Sequence, residues 1–511
     1  MKRTLPLLIT MLIIASLPLH AQFNMKKIGQ KLKEAVETTV DGIIDEKKQE
    51  HLPQEQSAPT HTTTSPEAAK SGTATTTATS ATALPKATQD VYVSVANGSN
   101  RNDGSKTSPY KDIQKAVDAA AEGAVIHVAQ GNYLGNLNRG YIEIKKYVSI
   151  IGGYSDDFSE RDYLTYRTMI QPPADAGGTN GSNGLLDIYV RGKRDGLIMI
   201  DGLVLDKGQQ NRYVSLEVTN PKFAAPEGCE TGMLNPPGMA IGQPSMRGVT
   251  SVSNQLIHGD VEGQVIIRNC VLVNGSHFGI QMGNIGGKWE IYNNIFLANR
   301  MAACEIRGMS NKPGDCAVDF HHNTVMFTWR RDWAPDAKDM GYGFRYMTGV
   351  DANVYNNILG CSDFAALDRG YVDSDKNKEA ARKTSAWDNL FFNNLEADLT
   401  LPSLGRFIRV FADQFEDVEQ LVKYEGNREM SEAEVEQLSK AVDSPYLIGF
   451  LTMEGTSSME HNPNSSENIA RQALGMNMRG TSSFSVTMYG NSYPFEKAAD
   501  LFGAIKGYGA Q

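Results

Sequence analysis

The sequence predicts an all-β solenoid: a single-stranded right-handed parallel β-helix with an N-terminal capping helix and a partly helical C-terminal cap. Three observations carry that expectation. One strand-and-turn pattern recurs through the middle of the chain at intervals suited to one coil. Asparagines occupy the same place in successive copies. The segment before the repeats reads as strand, helix and strand, a way to cover the open end of a solenoid.

The repeats are Val265-Ile-Ile-Arg-Asn-Cys-Val-Leu, Trp289-Glu-Ile-Tyr-Asn-Asn-Ile-Phe, Val318-Asp-Phe-His-His-Asn-Thr-Val, Ala352-Asn-Val-Tyr-Asn-Asn-Ile-Leu and Thr384-Ser-Ala-Trp-Asp-Asn-Leu-Phe, with Ile198-Met-Ile-Asp-Gly-Leu-Val-Leu upstream. Asn269, Asn293, His322, Asn356 and Asp388 are equivalent, at steps of 24, 29, 34 and 32 residues. A coil of slightly over 20 residues (about that length, lengthened by loop insertions) accounts for these steps. Strand alternation then sends Ile267, Ile291, Phe320, Val354 and Ala386 into the core. The asparagines turn a corner and bond backbone groups of neighbouring coils, the second of each pair (Asn294, Asn323, Asn357, Asn389) being the more regular. A propeller or sandwich would show several turn-delimited strands of even length per repeat, which the sequence lacks.

The start of the chain reads as an export signal. Lys2 and Arg3 precede an apolar run to Leu19, and Ala21 offers a small residue for cleavage. No other stretch approaches the roughly 20 apolar residues of a membrane span. An exported chain with a periplasmic, cell-surface or extracellular location is expected. Residues 22–51 include a lysine-rich amphipathic stretch with Ile28, Leu32, Ala35 and Val36 on one face, suited to packing or to a membrane surface. Residues 52–88, rich in Thr, Ser, Ala and Pro, lack the bulky side chains that offset ordering entropy and read as a disordered linker. The β-helix is assigned to residues 89–410 with a loop excursion near 207–260, and residues 411–511 to a helical, capping C-terminal region. A net charge of −10 excludes nucleic acid as a general partner, and a monomer is expected. The five cysteines are too few for a disulfide scaffold. Cys304 and Cys316 could close a loop, or all five are small buried hydrophobes. None has zinc-type spacing, and no metal or cofactor is implied.

Folded sequence starts at Asp90. Val91-Tyr-Val-Ser is a strand, Ser108-Pro109 signals a helix start, and Ile113, Ala116, Val117 and Ala120 form its apolar stripe. Val125-Ile-His-Val-Ala is the next strand. In that order, with Asn97-Gly-Ser, Asn102-Asp-Gly-Ser, Gly131-Asn-Tyr and Val148-Ser-Ile-Ile-Gly-Gly-Tyr, these motifs resemble the N-terminal cap and first coils of secreted bacterial parallel β-helix proteins of the pectin-lyase-like superfamily. The match covers about residues 90–155 closely and the solenoid beyond by its repeat character. The resemblance implies the fold but not one activity, since the superfamily includes lyases, hydrolases, epimerases, adhesins and phage tailspikes. The sequence shows neither the aspartate cluster of pectate lyases, nor the paired aspartates of polygalacturonases, nor the Lys and Arg motifs of chondroitinase-B-like lyases.

Two outward rows offer chemistry. Arg268, Tyr292, His321, Tyr355 and Trp387 fall one per coil, about 4.8 Å apart, so the aromatics could meet sugar rings or simply brace the sheet. In the strand of the next coil turn, inward Ile280, Ile306, Phe344 and Leu367 leave Gln281, Arg307, Arg345 and Asp368 outside, with Glu305 beside them. Glu305, Arg307, Arg345 and Asp368 are the candidate catalytic residues. An arginine can neutralise a sugar carboxylate or, with a depressed pKa, take a proton in β-elimination, whereas hydrolysis needs two carboxylates about 5–10 Å apart. Exposed salt bridges are the competing reading. The loop Trp329-Arg330-Arg331-Asp-Trp333 pairs indoles with guanidinium forks and points to an anionic saccharide. The expected function is therefore binding of an acidic polysaccharide, with or without cleavage by a lyase or hydrolase, the lyase favoured. A non-catalytic surface or adhesin-like binding protein is the alternative.

Overall fold

The computed structural model describes residues 84–135, 141–171, 184–207, 255–275, 278–310, 312–329, 341–347, 349–370, 384–403, 406–452, 470, 473 and 493–511. The expected signal peptide, the amphipathic segment and nearly all of the linker lie outside them, as do Cys229 and most of the 207–260 excursion. No helix among the described residues is long and apolar enough to cross a membrane.

The chain from Pro85 onward winds into the predicted right-handed parallel β-helix. Its coils are stacked strands on three faces. Face I holds Leu197–Asp201, Gln264–Arg268, Cys316–His321, Asp351–Tyr355 and Thr384–Trp387 in parallel register, with residues 287–292 of the long strand Phe278–Tyr292. Face II holds Ile142–Ile144, Leu186–Val190, Ile257–Glu262, Ala302–Gly308, Tyr342–Tyr346, Ala365–Arg369 and Ala397–Ser403, with the first half of Phe278–Tyr292. Face III is a nine-stranded sheet that includes Val271–Val273, Ile295–Leu297, Thr324–Thr328 and Ile358–Ser362. Ile267, Ile291, Phe320, Val354 and Ala386 all lie in the core, at most 1% exposed.

The two asparagines of each pair have different tasks. The first position, Asn269, Asn293, His322, Asn356 or Asp388, adopts φ between 50° and 55°. Asn, Asp and His tolerate this left-handed region better than most residues, which explains their choice at the corner. The second position builds a buried ladder. Asn323, Asn357, Asn389 and Asn427 each accept, through Oδ1, the backbone N–H of the ladder residue one coil earlier, at 2.9–3.2 Å. Each also donates Nδ2–H to the carbonyl of the inward residue on that earlier coil: Ile291, Phe320, Val354 and Ala386. Asn427 is a rung that the repeat pattern does not reveal. A second pair of asparagines, Asn299 and Asn394, does the same at the end of face III, accepting from Gly275 N–H and Ser362 N–H.

Both ends depart from expectation. The N-terminal helix spans Ile113–Ala119 and starts after Asp112, not at Ser108-Pro109. The backbone of Tyr110 is bonded to Tyr92 and Ser94 in an extended bridge, which delays the helix. At the C-terminal end, residues 413–422 do not form an α-helix. A 3₁₀ turn, Ala412–Asp417, puts Phe415 against Phe391 (ring centroids 5.6 Å apart), and the antiparallel strand Arg406–Val410 seals face II. The helices Glu432–Ala441 and Ser444–Thr452 pack along the outside of face III, where Val435, Leu438, Tyr446, Leu447 and Phe450 join Ile295, Leu297, Met326 and Phe327. The final residues likewise run over a corner instead of closing the helix. Gly509, Ala510 and Gln511 donate N–H to Asn356 O, Thr324 Oγ1 and Asn293 Oδ1. These helices have an apolar outer sheet to cover, and that attraction overrides an end-capping role.

Candidate functional site

Register decides where the polar side chains stand. On face II, Glu143, Asp187, His258, Gln281, Glu305, Arg345, Asp368 and Thr400 are successive partners on eight coils, one continuous outward column. The expected row is shifted by two residues on one coil. Glu305, not Arg307, belongs to the column, and its inward neighbour in register is Cys304, not Ile306. Arg307 pairs with Gly283 in the adjacent column.

The middle of this column is tied together by its own side chains. Gln255 donates to Gln281 (2.6 Å), and Gln281 donates to Glu305 (3.0 Å). Arg345 lies between two carboxylates, 3.5 Å from Glu305 and 2.7 Å from Asp368, and Thr400 Oγ1–H donates to Asp368 at 2.7 Å. Glu305 is 4% exposed and Asp368 is 1% exposed. Burial alone would lower the Arg345 pKa, but Asp368 and Glu305 hold it above the ordinary guanidinium value. A cation held that firmly is no general base. Burial pushes the Asp368 carboxyl upward, offset in part by Arg345 and Thr400. Glu305, Arg345 and Asp368 are thus brought together, as a closed charge network and not as an acid and a base facing a ligand. Arg307 stands outside it, its side chain 48% exposed and 4.0 Å from Glu305.

The aromatic row is on face I, a different wall. Tyr292, His321, Tyr355 and Trp387 stack with centroids 4.9, 4.6 and 4.4 Å apart and planes within 12° of parallel. Arg268 lies 6.0 Å from the centre of the Tyr292 ring, and Lys423 sits 3.9 Å from that of Trp387. Each inner ring therefore has both faces against another ring, and each end ring meets a cation. The coil spacing is close to a stacking distance, so the row binds itself, and its faces are not open to sugars. Trp329 is corrected more sharply: it is fully buried, and its Nε1–H donates to the Tyr446 hydroxyl at 3.0 Å. The apolar surface under the C-terminal helices has drawn it inward. Arg330, Arg331 and Trp333 lie outside the described residues. Cys304 and Cys316 are buried thiols that do not bridge each other, Cys270 and Cys361 are buried thiols too, and burial raises the Cys304 thiol far above its ordinary value.

His321 gives the aromatic row a pH signature. Burial, followed by the neighbouring His322, lowers its pKa from 6.5 to about 4. The unfolded chain then binds a proton that the folded one refuses, so stability is lost as pH falls from 6.5 toward 4. His321→Phe keeps the stack and removes this group. Its unfolding free energy should fall by about 1–2 kcal/mol less than that of the parent over the same pH interval. Equal losses of unfolding free energy in the two proteins between these pH values, measured by urea titration, would show that His321 does not titrate in this way.

Sequence reading missed Asp187, Tyr189 and His258. On face II the His258 Nδ1 atom is 3.0 Å from Asp187 Oδ1 and 3.3 Å from the Tyr189 hydroxyl. His258 and Asp187 are 71 positions apart with the long excursion between them. The sequence signal was the alternation in Leu186-Asp-Ile-Tyr-Val and Ile257-His-Gly-Asp-Val, once those strands are placed on successive coils.

Fold and column together define a parallel β-helix protein, a class that the chain's own strand pairing establishes. Residues 96–169 match the family described as a protein of unknown function, DUF1565. No curated protein matches the chain. Among solved structures, it is similar to one titled as the complex of XylC with xylose, at 11% identity and TM-score 0.31, covering 61% of this chain and 63% of that one. A hyperthermoactive exopolygalacturonase from Thermotoga maritima is 12% identical, with TM-score 0.30 and coverage of 68% and 82%. A pectin methylesterase mutant in complex with a hexasaccharide is 11% identical, with TM-score 0.27 and coverage of 67% and 93%. The chain thus spans less than two thirds of the length of the first of these.

Proposed function

We propose that this chain is an exported polysaccharide-binding β-helix protein that holds its ligand along face II without cleaving it. The observation that carries the non-catalytic part is Arg345, ion-paired on both sides, with Glu305 and Asp368 almost wholly buried. A lyase needs a free cation and a base, and a hydrolase needs two carboxylates open to the sugar. The arrangement around Arg345 offers neither. Binding is supported by the continuity of the wall. A linear glycan laid along the solenoid axis meets one rung of polar side chains about every 4.8 Å. A flat, pre-formed row of this kind loses little entropy on association.

Purified protein incubated with neutral and acidic glycans should retain at least one of them in affinity electrophoresis. It should produce neither new ultraviolet absorbance from unsaturated products nor new reducing ends. Products of either kind would establish an enzyme in place of a binding protein.

A further inference from the structure

We infer that the sugar-contact platform is the open part of face II around Tyr189, Asp260 and Arg307, and that it takes a neutral pyranose chain. This rests on the polysaccharide-binding reading above and narrows it to particular residues and a ligand class. Tyr189, Asp260, Gly283 and Arg307 are register partners on consecutive coils, two positions along from the closed column. The three coil steps between Tyr189 and Arg307 span roughly 14 Å, the length of a short oligosaccharide. Tyr189 is 40% exposed and Met309 54%, two large apolar side chains that face solvent near the same row.

Tyr189 differs from the face I aromatics in what occupies its ring. It meets the His258 imidazole nearly edge to face, at 80° with centroids 5.7 Å apart, and is not sandwiched in a stack. Its hydroxyl lies 3.3 Å from His258 Nδ1, the same ring nitrogen that Asp187 Oδ1 meets at 3.0 Å. An exposed aromatic fixed at one end offers apolar area at small entropic cost, which suits the C–H face of a sugar. Gly283 stands in the same row one coil further on. A Cβ there would come within 2.3 Å of Asp260 Oδ1 and 2.6 Å of Met309 Sδ, so the carboxylate and the thioether lean over the bare glycine.

Charge selects the ligand class. Arg191 lies 3.3 Å from Asp260, Arg307 lies 4.0 Å from Glu305, and Arg345 is held by two acids. Arg191 and Arg345 already have anions and Arg307 lies beside Glu305, so a uronic-acid chain would gain little and would meet Asp260 and Asp187. Planar carboxylate and guanidinium groups can instead share the paired hydroxyls of an uncharged sugar.

The test measures affinity of the full chain for xylan, dextran and a soluble β-glucan, and for polygalacturonate and alginate. The expected result is retention of a neutral glycan. Tyr189→Ala should weaken it at least tenfold, and Gly283→Val, which displaces Asp260 and Met309, by a similar factor. Trp387→Ala should bind as the parent does. Matching far-ultraviolet circular dichroism and melting temperature show that each variant is folded. Parent-like binding by Tyr189→Ala, or preference for the acidic chains, overturns this platform and leaves the general binding reading standing. If the parent protein retains no glycan at all, both fall.

Discussion

Asn357→Ala should destabilise the protein by about 3–5 kcal/mol, one of the largest effects expected of any single substitution in the solenoid. The side chain is fully buried and serves two coils. Its Oδ1 accepts the Asn323 N–H at 2.9 Å, and its Nδ2 donates to the Phe320 carbonyl at 3.0 Å. Truncation strands both backbone groups away from water, each at about 1–3 kcal/mol, and interrupts a chain of polarised bonds. Asn353→Ala is the internal comparison, since Asn353 is exposed and bonds the side chain of Asp319. That change should fall within about 0.5 kcal/mol of the parent. Urea unfolding of the two variants decides the matter. Similar midpoints would mean that the asparagine ladder decorates the corners without holding the coils together.

The second large effect belongs to Arg345→Met, with an expected loss of about 3–5 kcal/mol at neutral pH. Methionine fills much of the same space but leaves Glu305 and Asp368 buried without their cation. Desolvation already raises Asp368, and Arg345 works against it. Without the arginine, the Asp368 carboxyl should titrate in the folded state above its unfolded value. A raised folded pKa favours the folded chain at low pH, and that benefit is lost as pH rises through the carboxylate range. The deficit of Arg345→Met should therefore be largest near pH 7 and narrow toward about pH 4. Adding Glu305→Gln and Asp368→Asn should recover part of it at pH 7. A deficit that does not vary with pH, measured by denaturant titration, would remove the charge explanation.

Much of this fold is written locally. Alternation along a strand has a period of two residues, so Ile267, Ile291, Phe320, Val354 and Ala386 declare themselves inward without any knowledge of their neighbours. The left-handed corners need residues that tolerate positive φ, and Asn269, Asn293 and Asn356 advertise them. The candidate site was only half legible, because it depends on register between coils. A slip of two residues preserves inside and outside, so hydrophobic pattern cannot detect it. That is how Arg307 stood in the place of Glu305.

The sequence by itself determined the solenoid, its core residues and the approximate rows of outward side chains, since each follows from steric and hydrophobic rules acting within a few residues. Tertiary structure alone decided which outward groups are open. Trp329 went under the C-terminal helices, the face I rings closed on one another, and Arg345 was neutralised by acids on the coils before and after it. Tyr189 and His258 became neighbours only when the coil that follows the excursion folded back onto the strand before it. Loop length sets no register, and it is the stacking of whole coils that brings such distant residues together.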